Sequence, residues 1–390
     1  LVYLLTMKTR LTAEIYLILI PMVLLTIIGI VAIGSVSARP AGLFEAESLL
    51  SRATLAQLIS YQPIKQMLFA LVGLLAFILI VKWNYYSFRT YSYALYIILL
   101  LMIIAVMLMG ISVYGSKRWI HMGPFAFQPS EYMKIVTVLV LAQYLMHKTN
   151  VARLTGLFIP TVMALAPMLL ILVQPDLGTS FVFLPILFVM VYVAGARVKY
   201  LLITILIGMM FVPVAYFFLM KDYQKSRVQV FLNPSKSPTA DGYHLLQSRI
   251  AVGTGGFIGA NWGDDENGTP TVFVPARHTD FIFTIIAEKW GFVGATIVLL
   301  LYFMLFASSL FFAGTTREPY GRLIIVGITA YLITQVLVNV SMTIGLAPIT
   351  GITLPLISYG GSSLTSTFIA LGFIVNIRSK QIPTFSSRDF

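Results

Sequence analysis

Ten apolar stretches dominate this sequence and leave few folds open to it. They lie at 14–34, 66–82, 92–111, 132–147, 155–173, 178–196, 199–219, 282–313, 321–345 and 361–377. A helix rises 1.5 Å per residue and the bilayer core is about 30 Å thick, so about 20 apolar residues are enough to span it. The pattern predicts an all-α polytopic membrane protein with about ten transmembrane helices.

The composition indicates a single membrane domain over residues 1–390. Hydrophobic residues make up 58% of the chain and charged residues only 10%, whereas a soluble domain is about one quarter charged. Membrane lipids are therefore the expected outer solvent. The net charge is +12, but the basic residues are scattered singly between apolar stretches. Such a distribution argues against nucleic acid as a partner.

The orientation follows from the uneven distribution of Lys and Arg between the connections. Thirteen of the 26 fall on one side, in short segments with few acids. The positive-inside rule makes that side cytoplasmic, so both termini lie inside and the connections 35–65, 112–131 and 220–281 are extracellular. The last of these joins helices 7 and 8. A long loop without regular structure is usually functional.

Four polar motifs stand out on the predicted extracellular side. They are Lys117-Arg118-Trp119 with Gln128-Pro129-Ser130-Glu131 and Lys134, then Gln174-Pro175-Asp176, then Gln247-Ser248 with Arg277-His278-Thr279-Asp280, and last Ser358-Tyr359-Gly360-Gly361-Ser362. Together, and in this order, they resemble the SEDS (shape, elongation, division, sporulation) family, whose best-known members are RodA and FtsW. The resemblance runs from the first predicted helix to the last.

The resemblance implies an activity, a partner and a catalytic residue. Members of this family are peptidoglycan glycosyltransferases that polymerise lipid II on the outer face of the bacterial cytoplasmic membrane. They work with a class B penicillin-binding protein, which supplies the transpeptidase. The family's essential acid maps to Asp280. The residues around Ile282 and the short tails favour the elongation, RodA-like type, and the division, FtsW-like type is the alternative.

The position of Asp280 agrees with a catalytic role and also with a structural one. Phe281 begins a long apolar run, which places Asp280 at the outer mouth of the eighth helix. A carboxylate there is partly desolvated and could take the proton of an acceptor sugar hydroxyl while the sugar attacks a diphosphate-linked donor with inversion. The alternative is that Asp280 caps the N-terminus of the helix.

The charged residues of the first motif also allow two interpretations. Glu131 and Lys134 are three residues apart and share a helix face, so they are expected to pair, and Ser130 is a plausible N-cap. Ionisable residues in a spanning helix are by default a functional hypothesis. Lys134 and Arg118 would line an anionic cavity for diphosphate, with Glu131 orienting the lysine. The alternative is a structural ion pair between helices.

The remaining candidates come from the same motifs. Those assigned to substrate binding are Gln128, Ser130, Gln247, Ser248, Arg277, His278, Ser358 and Ser362. For the serines near 358–363, helix packing is the favoured alternative. Asp176 fits ordinary turn chemistry, and the glycines from Gly253 to Gly256 fit either phosphate contact or a loop.

Cofactors have little support in the sequence. The four histidines lie far apart, Cys is absent, and no Gly-Lys-Ser/Thr follows a glycine-rich loop, so no metal site or nucleotide site is predicted. A divalent cation, Mg²⁺ or Mn²⁺, remains open. Glu288 has no neighbouring acid to help it bind one, because Lys289 follows it where many relatives have a second Glu.

Two other classes of protein compete with the glycosyltransferase. A transporter or lipid flippase would place its essential ionisable groups near the bilayer midplane. A scaffold that only recruits a penicillin-binding protein would not need the carboxylate of Asp280.

Overall fold

The fold is known from a computed structural model of the chain. It describes residues 2–36, 61–109, 118–122, 125–147, 153–214, 217, 220, 222–232, 240–259 and 278–380. Arg277, one of the predicted substrate-binding residues, lies outside the described residues.

Helices make up nearly all of the described structure. They are α1 (Val2–Gly34), α2 (Gln62–Lys82), α3 (Ser87–Met109), α4 (Pro129–Leu145), α5 (Phe158–Val173), α6 (Leu177–Phe181), α7 (Phe183–Val193), α8 (Val198–Val214), α9 (Asp222–Leu232), α10 (Ala240–Thr254), α11 (Ile282–Thr315), α12 (Pro319–Thr343) and α13 (Gly361–Ser379). A 3₁₀ turn, Leu154–Leu157, leads into α5. The strands β1 (Ile120–Met122) and β2 (Phe125–Phe127) pair antiparallel, with Ile120 opposite Phe127.

Each predicted span coincides with an apolar helix, or with the pair α6 and α7, which confirms the all-α polytopic prediction. Among the described residues, 6 helices are long and apolar enough to cross a membrane, and α6 with α7 and α8 are shorter apolar segments. The helices α4 and α13 are less apolar because they carry polar side chains that neighbouring helices cover. Nearly every residue of both is buried.

The centre of the bundle consists of α4, α12 and α13, with α2 packed closely on α13. A Cβ at Gly73 would come within 2.8 Å of the Phe368 ring, and one at Gly361 would come within 2.9 Å of Phe69. Small residues at such contacts let helix backbones approach within a membrane, where packing drives association.

The two ends of the bundle differ in chemistry. At one end, Glu14 of α1 forms an ion pair with Arg378 of α13, and Arg378 also donates to the hydroxyl of Thr315 at 3.0 Å. Lys380 donates to the carbonyl oxygen of Trp83 at 2.5 Å at this end. We call it the Glu14 end. The opposite end carries the segment before α11 and is called the Asp280 end.

The predicted single run over 282–313 is broken, which is a correction to the sequence analysis. Gly291 has φ 63° and ψ −160°, and the helical hydrogen bonds stop there. The amides of Phe292 and Val293 instead donate to the carbonyl oxygens of Gly256 at 2.9 Å and Phe257 at 3.2 Å. The turn after α10 therefore takes the place of the missing helical turn.

The long connection 220–281 is not a structureless loop, which is a second correction. It contains the helices α9 and α10, and α10 packs along the first part of α11. The position of Gly255 lies directly against the carbonyl oxygen of Ala287, where a Cβ would collide. The geometry therefore favours close packing as the reason for Gly255, whereas nothing lies within 4 Å of a Cβ added at Gly253 or Gly256.

We expect Gly291→Ala to destabilise the protein strongly. Its backbone conformation is nearly restricted to glycine, a cost of about 1–3 kcal/mol for other residues, and a Cβ would collide with the backbone of residues 257–259. The measurement is the thermal midpoint of the purified protein in detergent. Gly314→Ala in the same helix is the matched control, because nothing lies within 4 Å of its added Cβ. An equal midpoint for both variants would contradict the prediction.

Candidate active site

Asp280 lies immediately before α11 and does not cap it. The helix begins at Ile282, its N-cap is Phe281, and no side chain makes a capping hydrogen bond. The capping alternative is therefore wrong. The carboxylate instead faces the backbone of Gly351, where an added Cβ would be 3.4 Å from Oδ2 of Asp280. Gly351 has φ +75°, a left-handed conformation that suits glycine.

The surroundings of Asp280 make its carboxyl a weaker acid than an aspartate in water. Burial is the largest cause that raises the pKa of this carboxyl, and the charge of Asp176 also raises it, while Arg227, Arg118 and the hydroxyl of Thr279 lower it. The resulting pKa is about 6. Because burial outweighs the two arginines, the carboxylate keeps a proton affinity close to that of a neutral-pH base.

Arg118 is held by the turn that precedes α6. Its guanidinium donates to the carbonyl oxygen of Gln174 at 3.1 Å and to that of Pro175, and lies 3.6 Å from the carboxylate of Asp176. Asp176 is also the N-cap of α6 and accepts from the amide of Thr179 at 3.2 Å. Asp176 thus has the structural role of a cap and also positions the arginine.

Three consecutive carbonyl groups fix the segment that carries Asp280. The backbone amide of Tyr359 donates to the carbonyl oxygen of His278 at 2.9 Å. The hydroxyl of Ser358 donates to the carbonyl oxygen of Thr279 at 2.6 Å, and the side-chain amide of Asn339 donates to that of Asp280 at 2.8 Å. The donors come from α12 and from the loop before α13. The backbone at the carboxylate is therefore held by tertiary contacts.

Gln66 in turn fixes the loop that carries Ser358. Its side chain is fully buried in α2, donates to the carbonyl oxygen of Ser358 at 3.0 Å and accepts from the amide of Gly360 at 3.3 Å. The hydroxyl of Ser358 also accepts from the amide of Leu354 at 2.8 Å. These contacts favour the packing alternative for Ser358.

His278 lies beside Asp280 and is partly buried. Its ring stands edge-on to Tyr359 with centroids 5.6 Å apart, and its Nε2 lies 3.5 Å from the amide nitrogen of Gln62. Burial lowers the pKa of His278, so the ring is neutral at neutral pH and can offer a hydrogen bond without adding charge.

Glu131 and Lys134 form the predicted ion pair, buried inside the bundle. The Lys134 ammonium is 2.9 Å from Oε2 of Glu131 and 5.7 Å from the centre of the Tyr331 ring, and Ser366 donates to the same carboxylate at 3.3 Å. Only 1% of Lys134 is exposed. None of the described contacts of Lys134 is with Arg118 or Asp280, which favours a structural role. Both partners lie on α4, however, so the ion pair is within one helix and does not lock two helices together.

The start of α4 differs from the prediction. Gln128, not Ser130, is the N-cap, and Pro129 occupies the first helical position, where its missing N–H costs nothing. Ser130 is buried. The backbone amide of Gln128 donates to the Ser362 hydroxyl at 3.0 Å, and that hydroxyl donates to the carbonyl oxygen of Ala126 at 3.0 Å. Ser362 therefore ties β2 to α13.

Ser248 and Gln247 lie on α10, on different faces. Ser248 is fully buried, and its hydroxyl contacts that of Thr284 at 2.8 Å and donates to the carbonyl oxygen of Thr343 at 2.7 Å. These contacts join α10, α11 and α12. Gln247 is partly exposed and remains a candidate for substrate contact.

Metal binding finds no support among the described side chains. In that part of the chain no group of three or more His, Cys, Asp or Glu residues could hold an ion. A divalent cation stays an untested prediction.

The most informative residues that the sequence analysis missed are Arg227, Asn339 and Gln66. Arg227 belongs to none of the four motifs, yet of the charged groups it has the largest effect on the pKa of Asp280. Asn339 and Gln66 are amides inside apolar helices. Buried polar residues in spanning helices are costly and mark function or structural bonds, so this signal was available.

Several apolar helices long enough to cross a membrane, with a partly buried carboxylate at one end that two arginines influence electrostatically, define a multi-pass membrane protein with a candidate acid–base site. The chain belongs to the FtsW, RodA and SpoVE family of cell cycle proteins, whose family model matches residues 15–382. This is the family that the motifs resemble.

Relatives and a solved structure agree with that membership. Peptidoglycan glycosyltransferase MrdB of Escherichia coli K12 is 38% identical over 268 residues, which cover 68% of this chain and 71% of the relative. Peptidoglycan glycosyltransferase RodA of Treponema pallidum is 32% identical, with 94% and 98% covered. A chain of a solved peptidoglycan synthase complex, described as coordinating polymerization and crosslinking, superimposes with a TM-score of 0.77 at 31% identity, covering 93% of this chain and 96% of that one.

Proposed function

We propose that this protein is a peptidoglycan glycosyltransferase that polymerises lipid II, with Asp280 as general base. The observation that carries the proposal is the Asp280 carboxylate, which caps no helix and has a pKa raised to about 6 by burial. Two relatives named peptidoglycan glycosyltransferases support it.

The reaction needs one proton acceptor and cations for the leaving group. The oxygen of the acceptor sugar hydroxyl bonds to the anomeric carbon of the donor, and the bond from that carbon to the diphosphate oxygen breaks. The hydroxyl proton passes to Asp280. A base with a pKa near 6 is mostly ionised at neutral pH and still binds a proton well enough to assist. One base acting in a single displacement inverts the anomeric centre, as in inverting glycosidases.

Arg118 and Arg227 are the groups assigned to the departing undecaprenyl diphosphate. Both act electrostatically on Asp280, so a diphosphate bound beside that carboxylate lies within their field. Arginine suits this role because its planar guanidinium presents paired donors to phosphate oxygens. Gln247 and His278 are assigned to hydrogen bonds with the sugars, and the role of Arg277 in substrate binding stays a prediction.

The membrane orientation belongs to the same proposal. Arg378 and Lys380 are at the Glu14 end, which the positive-inside rule places in the cytoplasm. The Asp280 end then faces the outside of the bacterial cytoplasmic membrane, where the site would polymerise lipid II. A transporter would need its essential ionisable groups at the midplane, whereas Asp280 precedes the first residue of α11.

A class B penicillin-binding protein is the proposed partner, since the similar solved structure is a complex that coordinates polymerization and crosslinking. We propose the elongation type, as the residues around Ile282 favour, and the division type stays the alternative, since relatives named RodA and FtsW are similar to this chain at comparable identity.

The test is a polymerisation assay with labelled lipid II on the purified protein, with and without a class B penicillin-binding protein, from pH 5 to pH 9. We expect glycan strands and a rate that falls below pH 7, because protonation of Asp280 removes the base. The acidic limb should have an apparent pKa near 6, the value that burial gives Asp280. If no glycan forms at any pH while an established polymerase succeeds beside it, the proposal is wrong.

A further inference from the structure

Asn339 joins two backbone segments at the Asp280 end. It lies in α12, is fully buried, and donates from Nδ2 to the carbonyl oxygen of Asp280 at 2.8 Å and to that of Ile352 at 2.7 Å. A side-chain amide nitrogen has two hydrogens, so both are used. Both bonds go to backbone that is remote in the sequence.

These two segments meet at the candidate base. One is Asp280 itself, and the other begins with Gly351, whose added Cβ would be 3.4 Å from Oδ2 of Asp280. Ile352 follows directly. The amide of Asn339 therefore joins the backbone of Asp280 directly to the segment that begins at Gly351, and the hydroxyl of Ser358 links Thr279 to Leu354 beside it.

Apolar residues next to the two bonded segments also pack against the helices α9 and α10. Phe281, Met342 and Ile349 pack with Val230 of α9 and Leu245 of α10 in a small buried cluster. Val230 is on the same helix as Arg227. Movement of the Asp280 segment relative to α12 would therefore also disturb the helix that carries one of the two arginines.

Burying a side-chain amide in a membrane-spanning helix costs free energy unless the amide forms hydrogen bonds there. The cost is visible here, since Oδ1 of Asn339 is buried with no hydrogen-bond partner among the described residues. An apolar residue of similar size would avoid that cost. The two hydrogen bonds that Nδ2 donates are thus the contribution of Asn339 to the structure.

We propose that Asn339 is a positioning residue for polymerisation, which holds Asp280 at the depth and angle at which it can accept the proton. The proposal rests on the proposed function, in which Asp280 is the general base. Asn339 touches no substrate in this scheme and acts only through the backbone of Asp280 and Ile352.

The Glu14 end offers a matched control. Asn376 of α13 is also fully buried, and its Oδ1 is also buried without a partner among the described residues. The two hydrogens of its Nδ2 are shared among three remote carbonyl oxygens within hydrogen-bond reach, those of Ile80, Val81 and Trp83. Both asparagines clamp backbone, but only Asn339 clamps Asp280.

The experiment compares Asn339→Leu with Asn376→Leu, each in the full chain, with kcat, KM for lipid II and the pH profile measured in the polymerisation assay. Leucine keeps the approximate size and removes the donors. For Asn339→Leu we expect kcat to fall by about 10²-fold, as for a misplacement of about 1 Å, with KM little changed. Asn376→Leu should lower the thermal midpoint similarly and leave kcat unchanged.

The pH profile adds a readout that loss of stability would not produce. The charged and titratable groups that face Asp280 are Arg118, Asp176 and Arg227, with His278 on its own segment. None is changed by the substitution. A freed Asp280 segment admits water, so the acidic limb should move from near 6 toward the ordinary value of about 4 for an Asp carboxyl.

The outcomes separate this inference from the proposed function. If Asn339→Leu matches Asn376→Leu in kcat and in its acidic limb, Asn339 is structural only and the inference is overturned, although the unchanged protein still polymerises. If the unchanged protein is inactive, the proposed function fails first. Should Asn339→Leu not fold, Asn339→Ser, which keeps one donor, takes its place, with Asn376→Ser as control and the same two expected changes.

Discussion

Asp280→Asn is expected to stop glycan polymerisation and to leave a folded protein that is more heat-stable than the unchanged chain. General base catalysis contributes about 10²–10⁴-fold, so the rate in the lipid II assay should fall by at least about 10²-fold. Asparagine has nearly the size of aspartate and keeps the backbone bond to Asn339, so the surrounding contacts are retained.

The gain in stability follows from the pKa of Asp280. Burial raises it from 3.8 to about 6, so this carboxyl favours the folded state below its unfolded pKa, and that stability is lost as the pH rises through about 6. At neutral pH the ionised group costs up to about 3 kcal/mol, at about 1.4 kcal/mol per pKa unit. Asparagine removes the charge and this cost. The measurement is the thermal midpoint at pH 7.5 and at pH 4.5, where the difference should shrink.

Asp176→Asn is the control for this prediction. Asparagine is also a good N-cap, and Arg118 keeps its hydrogen bonds to the carbonyl oxygens of Gln174 and Pro175. Most of the polymerisation activity should therefore remain. A class B penicillin-binding protein should still bind Asp280→Asn. If Asp280→Asn polymerised as well as the unchanged protein, the assignment of Asp280 as the general base would be wrong.

Lys134→Met is expected to destabilise the protein more than any other single change considered. It leaves Glu131 charged, buried and without its cation, and removing one partner of a buried ion pair costs about 3–5 kcal/mol. Ser366 can donate only one hydrogen bond to that carboxylate. A large drop in thermal midpoint and in the yield of folded protein is the expected result.

The double variant Glu131→Gln with Lys134→Met separates structure from catalysis. It removes both charges, and replacing a buried pair by groups of similar volume is often neutral, so the thermal midpoint should recover. Because Lys134 is buried among α4, α12 and α13, we expect polymerisation to recover with it. A folded double variant without activity would instead support the predicted diphosphate contact by Lys134.

The candidate site was predictable to different degrees for different residues. The Glu131–Lys134 pair follows from a spacing of three on one helix, which local geometry determines. The cap of α4 was misassigned by two residues, because Pro129 sets the first helical position. The break at Gly291 was missed, since glycine inside an apolar run has the same pattern whether the helix continues or stops.

The sequence by itself determined that this protein is an all-α membrane protein and that Asp280 stands at a helix boundary, because hydropathy and motif order are properties of neighbouring residues. Only the tertiary structure decided how the backbone of that aspartate is held. Its backbone is bonded to Asn339, 59 residues away, and the adjacent loop is bonded to Gln66, 292 residues from Ser358. Such contacts depend on how helices pack in three dimensions, which no local pattern specifies.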